Sequence, residues 1–215
     1  RPGAIAACAK HFLGYGASQG GRDYGYVGIP EIDLRNVYMP PFKAAVDAGV
    51  ATFMTAFSDV NGVPASGNRF LMRTVLRDEW KFPGFVVSDW ESIIDMIVHG
   101  FAANEMEAAF EALSAGVDME MASTTYRDHL AELLAAKRID QDTLDTAVRN
   151  VLRVKFQLGL FERTVTDPSR YPAVASAANF ALAKKLTTQS LVLLQNRKDV
   201  LPLARSSLRS LAVIG

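Results

Sequence analysis

Residues 85–90 read Phe85-Val86-Val87-Ser88-Asp89-Trp90, and the fold turns on how that run is read. Three apolar residues suit a buried strand. They stop at Ser88-Asp89, after Pro83-Gly84 has reset the chain and before a stretch of helical spacing. The same alternation recurs on both sides. Upstream, Ile5-Ala6-Ala7-Cys8-Ala9 reads as a strand that delivers Lys10 and His11 at its end. A glycine-rich loop, residues 14–23, then leads to a helical stretch over 33–48, disturbed by Pro40-Pro41. Ala51 to Phe57 forms the next strand, followed by the turn dipeptide Asn61-Gly62 and a helix over 68–79 with Phe70, Leu71, Val75 and Leu76 inward.

Downstream of Asp89, helical stretches over 91–98 and 104–115 lead through Gly116 into Val117-Asp118-Met119, a fourth strand. Helices over 126–137 and 141–156 close the series. Strands alternating with helices predict an α/β fold, a parallel sheet with crossover helices. Four strands in about 155 residues are half of what a closed eight-stranded barrel holds in its typical length of about 250. The expectation is therefore the C-terminal half of a TIM-like (β/α)8 barrel, with an open doubly wound sheet as the alternative.

The character changes near Gly159. Residues 162–172 are polar and carry two prolines, as a linker would. Beyond them come a helix over 175–189, an apolar strand Leu191-Val192-Leu193-Leu194, and the start of another strand at 211–214. The expected organisation is a barrel portion over 1–158, a linker over 159–173, and the beginning of a second α/β domain over 174–215. The opening Arg1-Pro2-Gly3 and the closing apolar run read as cuts, so an excerpt of a longer polypeptide is expected.

Composition removes several classes of function. Of 215 residues, 23 are Lys or Arg and 23 are Asp or Glu, which leaves no net charge to attract a phosphate backbone or an anionic membrane. Hydrophobic residues make up 49%, enough for a packed core. One cysteine excludes an intrachain disulfide, and with three histidines it cannot build a zinc-finger framework. No apolar run approaches the roughly 18 residues of a transmembrane helix. Residues 14–25 lack the GxGxxG and Walker patterns, and neither HExxH nor GxSxG occurs, so no metal or organic cofactor is implied.

Parallel barrels carry their chemistry at the C-terminal strand ends. That rule selects Lys10 and His11, residues 57–61, Ser88 to Glu91, and Asp118 to Met121. Asp89 is the foremost candidate, since an acid at a strand end is costly to bury and rigidly held, although Asp is also a favoured helix N-cap. Trp90 beside it offers a flat apolar face on which a sugar ring stacks. Lys10 and His11 pair two donors suited to sugar hydroxyls, or else are a solvated lysine and a core histidine. Arg22 either reaches the cleft or stays exposed on its loop, and Glu120 is either a site or a structural carboxylate. His99 and His129 read as structural, and Cys8 as inert core.

Taken together, Ala9-Lys10-His11-Phe12, Gly20-Gly21-Arg22-Asp23, Asn61-Gly62 and Val86-Val87-Ser88-Asp89-Trp90 resemble glycoside hydrolase family 3, in its two-domain β-glucosidase branch. The similarity continues through residues 115–121, 150–155, 159–161 and 190–196, in order, over nearly the whole chain. The resemblance implies that Asp89 is the catalytic nucleophile of a retaining β-glucosidase or β-xylosidase, that Lys10 and His11 bind sugar hydroxyls, and that Trp90 lines the neighbouring subsite. Phe57 stands where many relatives have a tyrosine, which removes a hydroxyl near the nucleophile. No histidine occurs between Phe12 and Val98, unlike the hexosaminidase-like branch. The same resemblance places the acid/base beyond Gly215, makes a β-glucoside or oligosaccharide the substrate, and implies a periplasmic or secreted protein. Two other readings stay open: a sugar-binding protein without its acid/base, and a different α/β enzyme using Asp89 as a base.

Overall fold

The computed structural model of the chain describes residues 5–170, 175–212 and 214. It divides into two compact units, Arg1–Thr164 and Val165–Gly215. In the first, a four-stranded sheet is built from β1 (Cys8–Phe12), β3 (Thr52–Thr55), β6 (Phe85–Trp90) and β7 (Met119–Met121). All neighbours are parallel, and the spatial order β1-β3-β6-β7 follows the chain without a reversal. A small second sheet joins β2 (Tyr26–Val27), β4 (Asp59–Val60) and β5 (Val63–Pro64). Asn61 and Gly62, at φ 55° and 86°, make the tight turn between β4 and β5 that the dipeptide predicts.

β1 lies three residues further on than the apolar run Ile5 to Ala9 suggested, and Ile5 is 90% exposed. The ladder with β3 explains the shift, because it pairs Cys8 with Thr52 and Phe12 with Thr55. Phe12 is fully buried and meets Phe42, Phe53 and Trp80 edge to face, so the aromatic cluster selects the register. Cys8 is consequently exposed, not core. Its strand β1 pairs with β3 alone among the described residues. Lys10 and His11 lie within β1 rather than beyond its end.

The helical run over 31–47 starts as α1 (Glu31–Asp33), widens to a π-helix over Leu34–Tyr38, and continues as α2 (Met39–Asp47). The wide turn precedes Pro40-Pro41, which lack the N–H groups that regular α-helical bonding would use, and the helix carries on past them. Phe70–Glu79 is also π-helical, with Leu71, Met72, Val75 and Leu76 buried. After β6 a turn leads to α3 (Asp95–Val98). α4 (Glu105–Ala115) begins at Asn104, whose side chain accepts from Glu107 N, while Glu107 accepts from Ala103 N, a reciprocal cap. α5 (Thr125–Ala135) and α6 (Gln141–Gln157, capped by Asp140) complete the unit.

The fourth strand starts at Met119, so Asp118 sits before it, at the N-terminal end of the sheet and away from Asp89. Its buried carboxylate accepts from Arg77 Nη2 at 2.6 Å, Val86 N at 2.8 Å and Asn150 Nδ2 at 2.9 Å. Arg77 also donates to the carbonyls of Phe82 and Gly84. Burial pushes the Asp118 carboxyl up and the Arg77 guanidinium down, and each opposes the other's shift. Gly84 admits no side chain, since a Cβ would lie 2.0 Å from the Ala51 carbonyl oxygen.

The second unit holds α7 (Ala177–Ser190), capped by Ser176. The strand expected at Leu191 to Leu194 is absent, and all four side chains are exposed. An apolar run forms a strand only with a neighbour to accept its backbone bonds, and none is paired among the described residues of this unit. Of the strand expected at 211–214, Leu211, Ala212 and Ile214 form none, and Val213 lies outside the described residues.

Removing one partner of the buried Asp118 cluster should be severe. Asp118→Ala is expected to lower stability by about 3–5 kcal/mol in chemical denaturation, because it strands Arg77 without its counter-charge. A loss below about 1 kcal/mol would show the cluster to be incidental.

Candidate active site

Asp89 lies inside β6, one residue before its end at Trp90, because the strand runs three residues past the expected stop at Val87. The strand pairs with β3 through Val86 and Val87 and with β7 through Val87, after which the β7 register shifts. Beyond that shift Met121 N donates to Ser88 Oγ at 2.8 Å. The Asp89 N–H points to Thr55 Oγ1 at 3.3 Å, and Thr55, Ser66 and Ser92 form a buried ring of hydroxyls beneath it, 2.8 to 3.3 Å apart. This support was not legible in the sequence, because isolated serines and threonines carry no spacing signal.

The Asp89 residue is 8% exposed. Its Oδ1 accepts the N–H of Trp90 at 2.7 Å, whereas Oδ2 is buried without a hydrogen-bond partner. His11 Nε2 approaches Oδ2 to 3.4 Å from β1, close enough for an ion pair if the ring is protonated but without hydrogen-bond alignment. Asp89 caps no helix, since the next one, α3, has Ile94 at its N-cap. A buried carboxylate oxygen lacking a donor is expensive and rare in structural positions, and common where the oxygen has chemistry to do.

Trp90 is 62% exposed beside it. With Tyr24, Glu91, Asp95, Val98 and His99 it lines a cavity of about 460 Å³. Phe57, half-buried just after β3, packs against Tyr24 with ring centroids 4.4 Å apart and planes tilted by 37°. Burial pushes the Asp95 carboxyl up, with Glu91 adding to the shift and His99 opposing it. Burial also pushes the Tyr24 phenol up, and the carboxylates Asp95, Asp23 and Asp89 add to it. Tyr24, Asp95 and His99 line this cavity without any signal in the sequence that marks them. His99, read as structural, does face Asp59 at 3.9 Å but also lines this cavity.

Lys10 is exposed on β1, one residue before His11. Arg22 is exposed in the glycine-rich loop, lines a separate cavity of about 340 Å³ with Tyr15, Ser18 and Asp23, and makes no hydrogen bond or ion pair with Asp89. Glu120 is structural, because its carboxylate accepts from Ser123 Oγ, Thr125 N, Thr125 Oγ1 and Tyr126 N and so holds the start of α5. His129 faces Glu105 at 3.5 Å across α5 and α4. Among the described residues, no group of three or more His, Cys, Asp or Glu is arranged to hold a metal ion.

Comparison with known proteins adds an independent line. Residues 2–154 match the sequence model of the glycosyl hydrolase family 3 N terminal domain. The chain is 40% identical over 217 residues to a periplasmic beta-glucosidase of Salmonella typhimurium, covering 98% of this chain and 28% of that protein. It is 36% identical over 223 residues to a beta-xylosidase of Formosa agariphila, covering 98% and 31%. In three dimensions it is similar to the beta-glucosidase from Listeria innocua in complex with glucose, with a TM-score of 0.82 and 40% identity over 93% of this chain and 28% of that one. The chain thus spans somewhat over a quarter of the length of these relatives.

Thr55→Val tests the hydroxyl ring. It deprives Ser66, Ser92 and the Asp89 N–H of a partner in a buried position, and a stability loss of about 1–3 kcal/mol is expected in thermal or chemical unfolding. An unchanged midpoint would mean that the ring does not brace Asp89.

Proposed function

The chain belongs to glycosyl hydrolase family 3, and from that premise we propose that its polypeptide is a retaining β-glycosidase acting on terminal β-D-glucosyl residues, with β-D-xylosyl residues as the alternative sugar. The observation that carries the reading is the buried, donor-free Oδ2 of Asp89 at a strand's C-terminal end, beside the exposed indole of Trp90. In this reading Oδ2 attacks the anomeric carbon while the bond to the leaving oxygen breaks, giving a glycosyl ester on Asp89. A second carboxyl group, about 5–5.5 Å away in retaining enzymes, protonates the leaving oxygen. It then takes a proton from the water that cleaves the ester and restores Asp89. That acid/base is assigned, through the family resemblance, to a segment outside residues 1–215.

His11 and Lys10 bind hydroxyls of the sugar in the cleavage subsite, and Arg22 is a more distant contributor. Trp90 stacks on the adjoining ring in the 460 Å³ cavity, with Phe57 behind Tyr24 as its wall. No organic cofactor or metal enters these steps. The unreversed order of the parallel strands supports a barrel over an open doubly wound sheet, whose order reverses at its switch point. We therefore read residues 1–158 as the C-terminal half of a (β/α)8 barrel, 159–173 as a linker, and 174–215 as the start of a second α/β domain. The break between the units at Thr164 and Val165 falls inside that linker. A periplasmic or secreted setting is proposed from the Salmonella relative's name, and no helix among the described residues is long and apolar enough to cross a membrane.

Two measurements on the full-length protein test the mechanism. Asp89→Ala should lower kcat for an aryl β-glucoside by at least about a thousandfold. A 2-deoxy-2-fluoro glucoside should leave its label on the peptide containing Asp89. Retained turnover, or a label on another carboxylate, removes Asp89 from the nucleophile's role. Trp90→Ala should raise KM for disaccharides about tenfold while sparing activated aryl glycosides more. An equal effect on both would place Trp90 outside the leaving-group subsite.

A further inference from the structure

We propose that Tyr15 is a positioning residue that aims the His11 imidazole at Asp89, an inference that rests on the nucleophile assignment above. The Tyr15 ring stacks on His11 with centroids 4.5 Å apart and planes at 27°, and His11 Nε2 lies 3.4 Å from Asp89 Oδ2. The phenol is itself fixed, because its O–H donates to Asp23 Oδ2 at 2.7 Å while Asp23 Oδ1 accepts Tyr24 N at 3.0 Å. A continuous line of contacts therefore runs from the Asp23 carboxylate through the phenol and the imidazole to the nucleophile.

The glycine-rich loop makes the line possible. Gly14, at φ 86°, turns the chain directly after Leu13, and a Cβ there would lie 3.1 Å from Val27 Cγ1. Gly20 and Gly21, at φ 66° and 65°, turn it again, so that Asp23 returns to Tyr15. His11 needs such support. Its side chain is 24% exposed. An imidazole there has a broad choice of χ2 unless a neighbour restricts it. The flat face of Tyr15 supplies that restriction, at an offset-stacked distance. The hydrogen bond to Asp23 also pushes the phenol up to about 12, which keeps its O–H as the donor at neutral pH.

The test is a double-mutant cycle on the full-length protein, read as kcat/KM for an aryl β-glucoside. Tyr15→Leu removes the stacking face and is expected to cost on the order of thirtyfold, whereas Tyr15→Phe keeps the face and costs only about threefold. In a His11→Ala background, Tyr15→Leu should change kcat/KM by less than about twofold, because its effect passes through His11. Recurrence of the full loss in that background, or wild-type kinetics for Tyr15→Leu, overturns the inference. Should Tyr15→Leu fail to fold, Tyr15→Met, which fills the space without a flat face, takes its place in the same cycle with the same outcomes deciding. Labelling by the 2-deoxy-2-fluoro glucoside separates the two levels. A label on the Asp89 peptide with additive losses refutes the role of Tyr15 alone, and a label elsewhere refutes the nucleophile assignment beneath it.

Discussion

The carboxylate of Asp118 holds β6 where it is. It takes the N–H of Val86, the guanidinium of Arg77 and the amide of Asn150, and so binds strand, π-helical segment and α6 to the entrance of β7. Side chains alternate along a strand, so a slip of one residue would turn the other set of β6 side chains inward. With Val86 anchored, Asp89 emerges three residues later, where the register with β7 shifts. A charged cluster at one end of the sheet therefore decides which side chain is presented at the other. Such clusters cost desolvation, which the three hydrogen bonds to the Asp118 carboxylate offset here.

At the presented end the polar accounting is deliberately incomplete on one atom. The backbone around Asp89 is well supplied, through Thr55, Ser66, Ser92 and the bond from Met121 to Ser88. One carboxylate oxygen is also engaged, by the next residue's own N–H. The other faces only His11, without hydrogen-bond alignment. A rigid backbone carrying one under-coordinated oxygen suits the nucleophilic role proposed for Asp89, since orientation is fixed beforehand while a lone pair is not spent. Tyr15 stacks on that histidine, and Trp90 and Tyr24 line the neighbouring cavity with Glu91, Asp95 and His99.

Much of this was legible from residue order. The alternation of short apolar runs and helical spacing marked β3 and β7 to within two residues and overlapped β1 and β6, which differ at an end by three. β1 was misplaced because its own apolar run, Ile5 to Ala9, is a poorer core segment than Phe12, whose ring locks into Phe42, Phe53 and Trp80. The small sheet of β2, β4 and β5 left no trace beyond Asn61-Gly62, since two-residue strands have no period to read. Leu191 to Leu194 shows the converse error, a strong strand composition without a partner to pair with.

Composition and spacing alone determined the α/β class, the direction of the sheet and the prominence of Asp89, because those follow from local burial and from where an acid interrupts an apolar run. Only the tertiary structure decided which neighbours that acid has. It separated Glu120, spent on the start of α5, from Asp89, and it brought Tyr24, His99 and Tyr15 to the site from loops and helices with no signal of their own. The physical reason is that a side chain's chemistry depends on the donors and charges left facing it after folding. Those come from chain segments tens of residues apart, and their approach is set by strand register and loop closure, which no local pattern encodes.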